Sequence, residues 1–132
     1  MKIESHLESL QESVTEIEAA VISGLVSKQR TVGIHTSAGA IDMLEIILHQ
    51  HNLIDPGAVI KHEWFSSSQG IRKRFSFDFP RKEEIISLME SIEAVRNKLC
   101  YGKRQDEKIL IKVVEEFNKL HSIFREVSGY EL

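Results

Sequence analysis

The chain has 132 residues, enough for one domain with an ordinary hydrophobic core. Its 17 basic and 20 acidic residues give a net charge of −3, which excludes a protein drawn to nucleic acid by bulk charge alone. The charge is uneven, because residues 1–60 carry three basic and eight acidic side chains, whereas residues 61–132 carry fourteen and twelve. We therefore expect any anion-binding surface in the second half of the chain.

The single cysteine and the absence of a long apolar segment indicate where in the cell the protein is expected. A single cysteine, Cys100, excludes an intrachain disulfide and is typical of a reducing environment. The sequence starts in a charged helical pattern without an apolar signal segment, and no window approaches eighteen uninterrupted apolar residues. We therefore expect a cytoplasmic protein that does not span a membrane.

Two long helices are predicted in the first half of the chain. The first has apolar residues at heptad spacing, at Ile3, Leu7, Leu10, Val14, Ile17 and Val21. Its opposite face is acidic and solvated, and we expect His6 to be exposed there. The second runs from about Val32 to Leu53 and is apolar on more than one face, which is typical of a central helix. Its small residues, including Gly33, Ser37 and Gly39, allow a neighbouring helix to approach closely.

The middle of the chain is less regular. Asp55-Pro56-Gly57 breaks the second helix, and a short third helix is predicted from about Ala58 to Phe65. Residues 66–70 are predicted to form a loop. The alternation Phe75-Ser76-Phe77-Asp78-Phe79 has a period of two, so it predicts a short extended strand.

Two further helices complete the predicted fold. A fourth helix follows Pro80 on an apolar stripe that ends at Leu99, and we expect Gly102 to end it in a left-handed conformation. The last helix runs from about Asp106 to Val127, with His121 as a surface residue. The sequence thus predicts one all-α domain over residues 1–132, an antiparallel up-and-down bundle of four to five helices.

The most distinctive segment is Arg96-Asn97-Lys98-Leu99-Cys100-Tyr101-Gly102, at the end of the fourth helix. Arg96 follows Ile92 by four residues, so it lies beside the buried stripe, where a guanidinium group needs an anion or carbonyl partner. One interpretation is a structural salt bridge to Glu93 or Glu45. We expect Cys100, next to Leu99 at the end of the stripe, to be a small buried hydrophobic residue.

This segment resembles the motif of the HEPN superfamily, specifically its HepT-like branch. In that motif an arginine and a polar neighbour are followed by a histidine five positions after the arginine. Arg96, Asn97 and Leu99 match the pattern, and Tyr101 occupies the histidine position. The order of helices around the motif is also similar, so the resemblance spans roughly residues 3–127.

The resemblance implies a helical homodimer in which two motifs face each other. In active members the paired arginines hold the scissile phosphate of RNA and the histidines act on the ribose hydroxyl and the leaving group, with no metal and no other cofactor. Tyrosine has an unperturbed pKa of about 10, so Tyr101 is a poor general base at neutral pH. A catalytically degenerate binding or regulatory module, related to toxin–antitoxin ribonucleases, is therefore implied. Its implied partner is a small nucleotidyltransferase, which in some systems modifies a tyrosine near the motif.

Two other functions stay open. One is an active, metal-independent ribonuclease that uses Arg96, Asn97 and Tyr101. The other is a helical interaction protein in which Arg96 forms a structural ion pair. A histidine outside the motif, His62 in Lys61-His62-Glu63-Trp64-Phe65, is a candidate to lie near the motif in space. The sequence alone does not establish whether it does.

A second candidate surface is basic and aromatic. Arg72, Lys73 and Arg74 precede Phe75, Phe77 and Phe79, a combination of charge and stacking rings that suits single-stranded RNA. Together with Lys98, Lys103 and Arg104 they are candidates for one RNA-binding surface. The alternative, which we favour for the rings, is that the phenylalanines close the end of the bundle.

The second helix carries a polar stripe that includes Asp42, Glu45 and His49. Such spacing can line a metal site in a bundle, but the paired Glu-x-x-His motifs of di-metal bundles are missing. We therefore expect no metal, and favour a polar stripe at a dimer interface or a set of partners for Arg96.

Overall fold

The computed structural model describes residues 2–132, which contain five α helices, one 3-10 turn and no strand. The helices are α1 (Ile3–Ser23), α2 (Gln29–Gln50), α3 (Ser68–Arg74), α4 (Lys82–Tyr101) and α5 (Glu107–Ser128), and the 3-10 turn is His62–Phe65. The prediction of an all-α bundle is thus confirmed, and the predicted first, second, fourth and fifth helices are all present.

Helix α2 is the centre of the core, because it packs against α1, α4 and α5. Most of its residues from Val32 to Leu48 are buried, on all sides of the helix. Within residues 2–132 it is also the one helix long and apolar enough to cross a membrane by length and composition. Most of that apolar stretch is covered by the neighbouring helices.

Helix α1 is rotated relative to the prediction, so that Ile3, Leu7 and Val14 of the predicted stripe are only partly buried against the core. Its buried residues are His6, Leu10, Ser13, Ile17 and Ala20, which share only Leu10 and Ile17 with the predicted apolar stripe. Val21, at the end of that stripe, is exposed. The prediction that His6 is exposed was wrong, since only 3% of its surface is accessible. The rotation is favoured because α2 offers polar partners to this face: His35 Nδ1 lies 3.0 Å from Ser13 Oγ.

The structure of the segment between α2 and α4 differs from the prediction at three places. Only the 3-10 turn forms within the predicted helix Ala58–Phe65. Helix α3 begins at Ser68, inside the predicted loop, because Ser67 Oγ accepts a hydrogen bond from Gly70 N and caps the helix. No strand forms at Phe75–Phe79, since no neighbouring strand is present to pair with it.

The phenylalanines of this segment close the core. Phe75 and Phe79 are buried, and Phe77 is half-buried against the same cluster. The ring of Phe75 stacks on Phe65 with 5.6 Å between centroids and meets Trp64 edge-on at 6.1 Å. The alternation therefore reflects rings that fold back onto the bundle, as we favoured, and they are not available as an exposed stacking platform.

The end of α4 is held by a buried side chain of α2. Gln29 Nε2 donates to the carbonyl oxygens of Lys103 at 2.9 Å and Leu99 at 3.3 Å, while its Oε1 accepts from Gln105 N at 2.7 Å. These contacts satisfy backbone groups that the end of a helix leaves unpaired. Gln29 thus fixes the connection between α4 and α5.

Two glycines allow this close packing. A Cβ atom at Gly33 would lie 2.7 Å from Leu99 Cβ, so the absence of a side chain lets α2 approach α4. Gly102 is extended, with φ −89° and ψ 180°, so the predicted left-handed cap was wrong. The position instead needs glycine because a Cβ atom there would lie 2.5 Å from the carbonyl oxygen of Lys98.

Helix α5 ends at Gly129, which has the left-handed φ of 81° that was expected of Gly102. Beyond it the chain folds back, so that Tyr130 stacks on Phe124 and the carbonyl oxygen of Leu132 accepts from His121 Nε2. The prediction of a surface position for His121 was wrong, because the tail covers it. Burial lowers the pKa of the His121 imidazole below its ordinary value.

We predict that Gln29→Ala destabilises the protein by about 3 kcal/mol, because it leaves several buried backbone groups without partners. Urea unfolding followed by circular dichroism measures the change. Gln11→Ala is the matched control, since Gln11 is exposed and its side chain bonds only to Thr15 on the same helix. Equal stability of the two variants would contradict the role given to Gln29.

Candidate functional site

A cleft lies beside the C-terminal half of α4. Its volume is about 870 Å³, and it is lined by residues from two segments, 59–66 and 93–97. The first segment contains the 3-10 turn, and the second carries the first two residues of the motif, Arg96 and Asn97. The cleft therefore combines motif residues with a part of the chain far from them in sequence.

The wall formed by residues 59–66 is tied to α2 through Glu45. This buried carboxylate accepts a hydrogen bond from Ile60 N at 2.7 Å. Its other oxygen lies 2.6 Å from His6 Nε2, close enough for an ion pair although the two groups are not aligned as a hydrogen bond. Glu45 thus links the wall of the cleft to both long N-terminal helices.

The polar residues of α2, Asp42, Glu45 and His49, contact a side chain of α1. His6 Nδ1 lies 2.8 Å from Asp42 Oδ1, and the His6 and His49 rings stack with 6.1 Å between centroids. Burial raises the pKa of Asp42, although its contact with His6 acts in the opposite direction. Burial also lowers the pKa of His49. These side chains do not contact Arg96, and no group of three or more His, Cys, Asp or Glu residues in positions 2–132 is arranged to hold a metal ion.

One imidazole lies in the cleft. His62 Nδ1 is 3.1 Å from both carboxylate oxygens of Glu93 and 2.9 Å from Ser37 Oγ. Ser37 Oγ in turn donates to Glu93 Oε1 at 2.7 Å. The Glu93 side chain is only 4% exposed, whereas that of His62 is 39% exposed. A buried carboxylate of α4 and a buried hydroxyl of α2 therefore hold a histidine that faces solvent.

Arg96 has no carboxylate partner among residues 2–132. Its side chain makes one hydrogen bond, from Nη1 to Asn97 Oδ1 at 3.1 Å. The predicted salt bridge to Glu93 or Glu45 was therefore wrong, because Glu93 is engaged by Ser37 and His62, and Glu45 by His6 and Ile60. The guanidinium donors of Arg96 remain available at the edge of the cleft.

The remaining motif residues lie away from the cleft lining. Tyr101 is 75% exposed, at the last residue of α4. Cys100 is buried, as expected, and burial raises the pKa of its thiol. Its carbonyl oxygen accepts from Arg30 Nε at 2.9 Å, so a basic residue of α2 also lies beside the motif.

The basic candidates form two groups instead of one surface. Arg72, Lys73 and Arg74 are exposed on the last turn of α3, where the Arg74 guanidinium lies 4.8 Å from the Trp64 ring centroid. Arg72 lies beside the N-terminal half of α4, near Glu90. Lys98, Lys103 and Arg104 are exposed at the other end of α4, and Lys98 is about 12 Å further along the helix axis than Glu90. The residues of α4 that line the cleft, 93–97, lie along the helix between Glu90 and Lys98.

Sequence reasoning missed two parts of this site. Glu93 was considered only as an ion-pair partner of Arg96, and Ser37 only as a small residue. The signal for Glu93 was its helical spacing from Arg96, three residues apart, which places both on one face of α4. Lys61 is a further lining residue that the motif did not indicate.

We predict that Arg96→Ala changes the free energy of unfolding by less than about 0.5 kcal/mol, because its guanidinium has no carboxylate partner in the described chain. Glu93→Ala should cost about 2 kcal/mol or more, since it removes the acceptor from two buried or half-buried donors. Urea unfolding of both variants measures the difference. A larger loss for Arg96→Ala than for Glu93→Ala would show that Arg96 is structural.

Comparison with known proteins identifies no relative from which a role for this site could be inferred. No family model, curated protein or solved structure compared with the chain matches it significantly. The function of the cleft therefore has to be inferred from its own residues.

Proposed function

We propose that this chain is a binding module that holds the phosphate backbone of RNA in the cleft beside α4. The observation that carries the proposal is the Arg96 guanidinium, which lines the cleft without a carboxylate partner among the described residues. Arginine presents several N–H donors in a plane that matches two phosphate oxygens, and charge-assisted bonds of this kind are strong. Asn97 adds a carboxamide beside it.

The charges along α4 favour a chain of phosphates over a single small anion. Basic residues lie near both ends of α4, with Arg72 beside its N-terminal half and Lys103 and Arg104 just after its C-terminal end. Lys61 adds a further positive charge to the cleft itself. A flexible polynucleotide strand placed along α4 would contact all three regions, and each contact with a phosphate would release a counterion.

A HEPN-like organisation extends this proposal. The motif at residues 96–102 and the all-helical fold support an up-and-down bundle that forms a homodimer and acts in the cytoplasm. In such a dimer two Arg96 residues would serve one RNA strand. We propose a toxin–antitoxin type of regulation, in which a small nucleotidyltransferase is the protein partner.

An active, metal-independent ribonuclease is the second candidate. It is favoured by one observation, the presence of His62 in the same cleft as Arg96. Tyr101 does not line that cleft, so it is not the residue that supports this candidate. A purely structural helical protein is less well supported, because that function calls for an internal ion pair at Arg96.

We predict that Arg96→Ala weakens binding of a short single-stranded RNA at least about tenfold, because it removes charge-assisted hydrogen bonds to phosphate. Fluorescence anisotropy at several salt concentrations measures the affinity. Lys119→Ala is the control, because it removes one positive charge from an exposed site on α5, outside the cleft lining. Equal losses in the two variants would mean that binding depends on net charge and not on the cleft.

We predict that co-expression with a cognate nucleotidyltransferase adds nucleotide units to Tyr101, whose hydroxyl is carried by an exposed side chain at the end of α4. Intact mass measurement should show the addition, and Tyr101→Phe should abolish it. Tyr130 is half-buried and stacked on Phe124, so Tyr130→Phe is the matched control. An unmodified wild-type chain would contradict this partner, and native mass spectrometry of the same sample reports whether the chain is a dimer.

A further inference from the structure

The contacts of His62 fix which of its ring nitrogens carries the proton. Glu93 can only accept hydrogen bonds when ionised, and the Ser37 hydroxyl hydrogen is already donated to Glu93. Both groups lie against His62 Nδ1, at 3.1 Å and 2.9 Å. With Glu93 ionised, Nδ1 is the donor, so in the neutral ring the lone pair is on Nε2. No group in the described chain forms a hydrogen bond with that nitrogen.

We propose that His62 is the proton-accepting catalytic residue of the cleft and that Glu93 and Ser37 position it. This inference rests on the proposed binding of RNA by Arg96 and goes beyond it, because it assigns a reaction to the bound strand. The imidazole comes from the 3-10 turn between α2 and α3, outside the motif of α4. It thus supplies the group that tyrosine at position 101 cannot supply.

The other polar groups near the cleft are less suited to this role. The Glu93 side chain is almost fully buried and is occupied by two donors. Ser37 is completely buried, so its hydroxyl cannot reach a substrate as a nucleophile. Glu63 is exposed in the cleft lining, but carboxylates as a class are much weaker bases than imidazoles.

The reaction that these groups support is cleavage of a phosphodiester by the neighbouring ribose hydroxyl. His62 Nε2 takes the proton of the 2′ hydroxyl, and the 2′ oxygen forms a bond to phosphorus as the bond from phosphorus to the 5′ oxygen breaks. The 5′ oxygen takes a proton from water, and the proton on His62 returns to solvent. Arg96 offsets the negative charge that develops on the phosphoryl oxygens. The products are a 2′,3′-cyclic phosphate and a 5′ hydroxyl end.

The experiment compares cleavage and binding on the same RNA in EDTA. The substrate is a short single-stranded RNA of mixed sequence, and a strand with deoxyribose at every position is the chemical control. Wild type should cleave the RNA, leave the deoxy strand intact and give cyclic phosphate ends by mass spectrometry. His62→Gln should cleave at least about 100-fold more slowly and bind RNA within about twofold of wild type. Glutamine can still donate to Glu93 but cannot accept the proton.

Two further variants separate chemistry from folding. His51→Gln changes an exposed histidine outside the cleft lining and should cleave like wild type. His62→Ala should be inactive but regain cleavage when free imidazole is added, an effect that a merely structural role would not produce. Circular dichroism checks that each variant is folded.

The possible outcomes distinguish this inference from the proposed function. Wild type that binds RNA through Arg96 but does not cleave it overturns the catalytic role of His62 and leaves the binding module standing. Cleavage that His62→Gln retains overturns the catalytic role as well. Absence of both binding and cleavage overturns the proposed function together with this inference.

Discussion

Three buried polar side chains of α2 hold the other elements of the structure in place. Gln29 binds the connection between α4 and α5, Ser37 binds the Glu93 and His62 pair, and Glu45 binds Ile60 and His6. These three residues are eight positions apart, so each is rotated by about 80° from the previous one and lies about 12 Å further along the axis. The central helix thus reaches three different neighbours, and each contact is costly to remove because it lies away from water.

The cleft exists because two of these contacts act on opposite walls. Ser37 fixes the α4 wall through Glu93, and Glu45 fixes the wall of residues 59–66 through Ile60. His62 is attached to both, since it belongs to one wall and bonds to the carboxylate of the other. Arg96 is left without a carboxylate partner in the described chain for the same reason, because the nearby carboxylates are already engaged. The arrangement that stabilises the bundle is therefore also the one that leaves donors free for an anion.

The sequence predicted the long helices because the burial of one face imposes a period near 3.6 residues, and this pattern is clear in α4 and α5. It could not give the rotation of α1, since two heptad stripes share Leu10 and Ile17 and differ in which polar residues become buried. The choice depends on His35 and Asp42 of α2, which are distant in sequence. The period of two in Phe75–Phe79 was misleading, because rings that fold onto a bundle end give the same pattern as a strand. Ser67 as a helix cap, in contrast, was a local signal that could have been recognised.

Only part of the candidate site could be predicted from the sequence. Arg96 and Asn97 follow from the motif, but the engagement of Glu93 by Ser37 and His62 depends on how α2 packs between α4 and the 3-10 turn. No local pattern encodes such a three-way contact. The same dependence explains why the ion pair of Arg96 with Glu93 or Glu45, one interpretation of the sequence, did not form.

The attachment of both cleft walls to one helix also determines how the cleft responds to a ligand. A rigid helix keeps the spacing of Ser37 and Glu45 constant, so the two walls cannot move apart unless a buried contact breaks. A ligand that enters the cleft therefore meets a preorganised slot, and little conformational entropy is lost in shaping it. The same rigidity limits the size of the ligand, because the walls do not move apart to admit a ligand that is wider than the cleft. The fixed shape of the cleft would therefore act together with its charge in selecting a ligand.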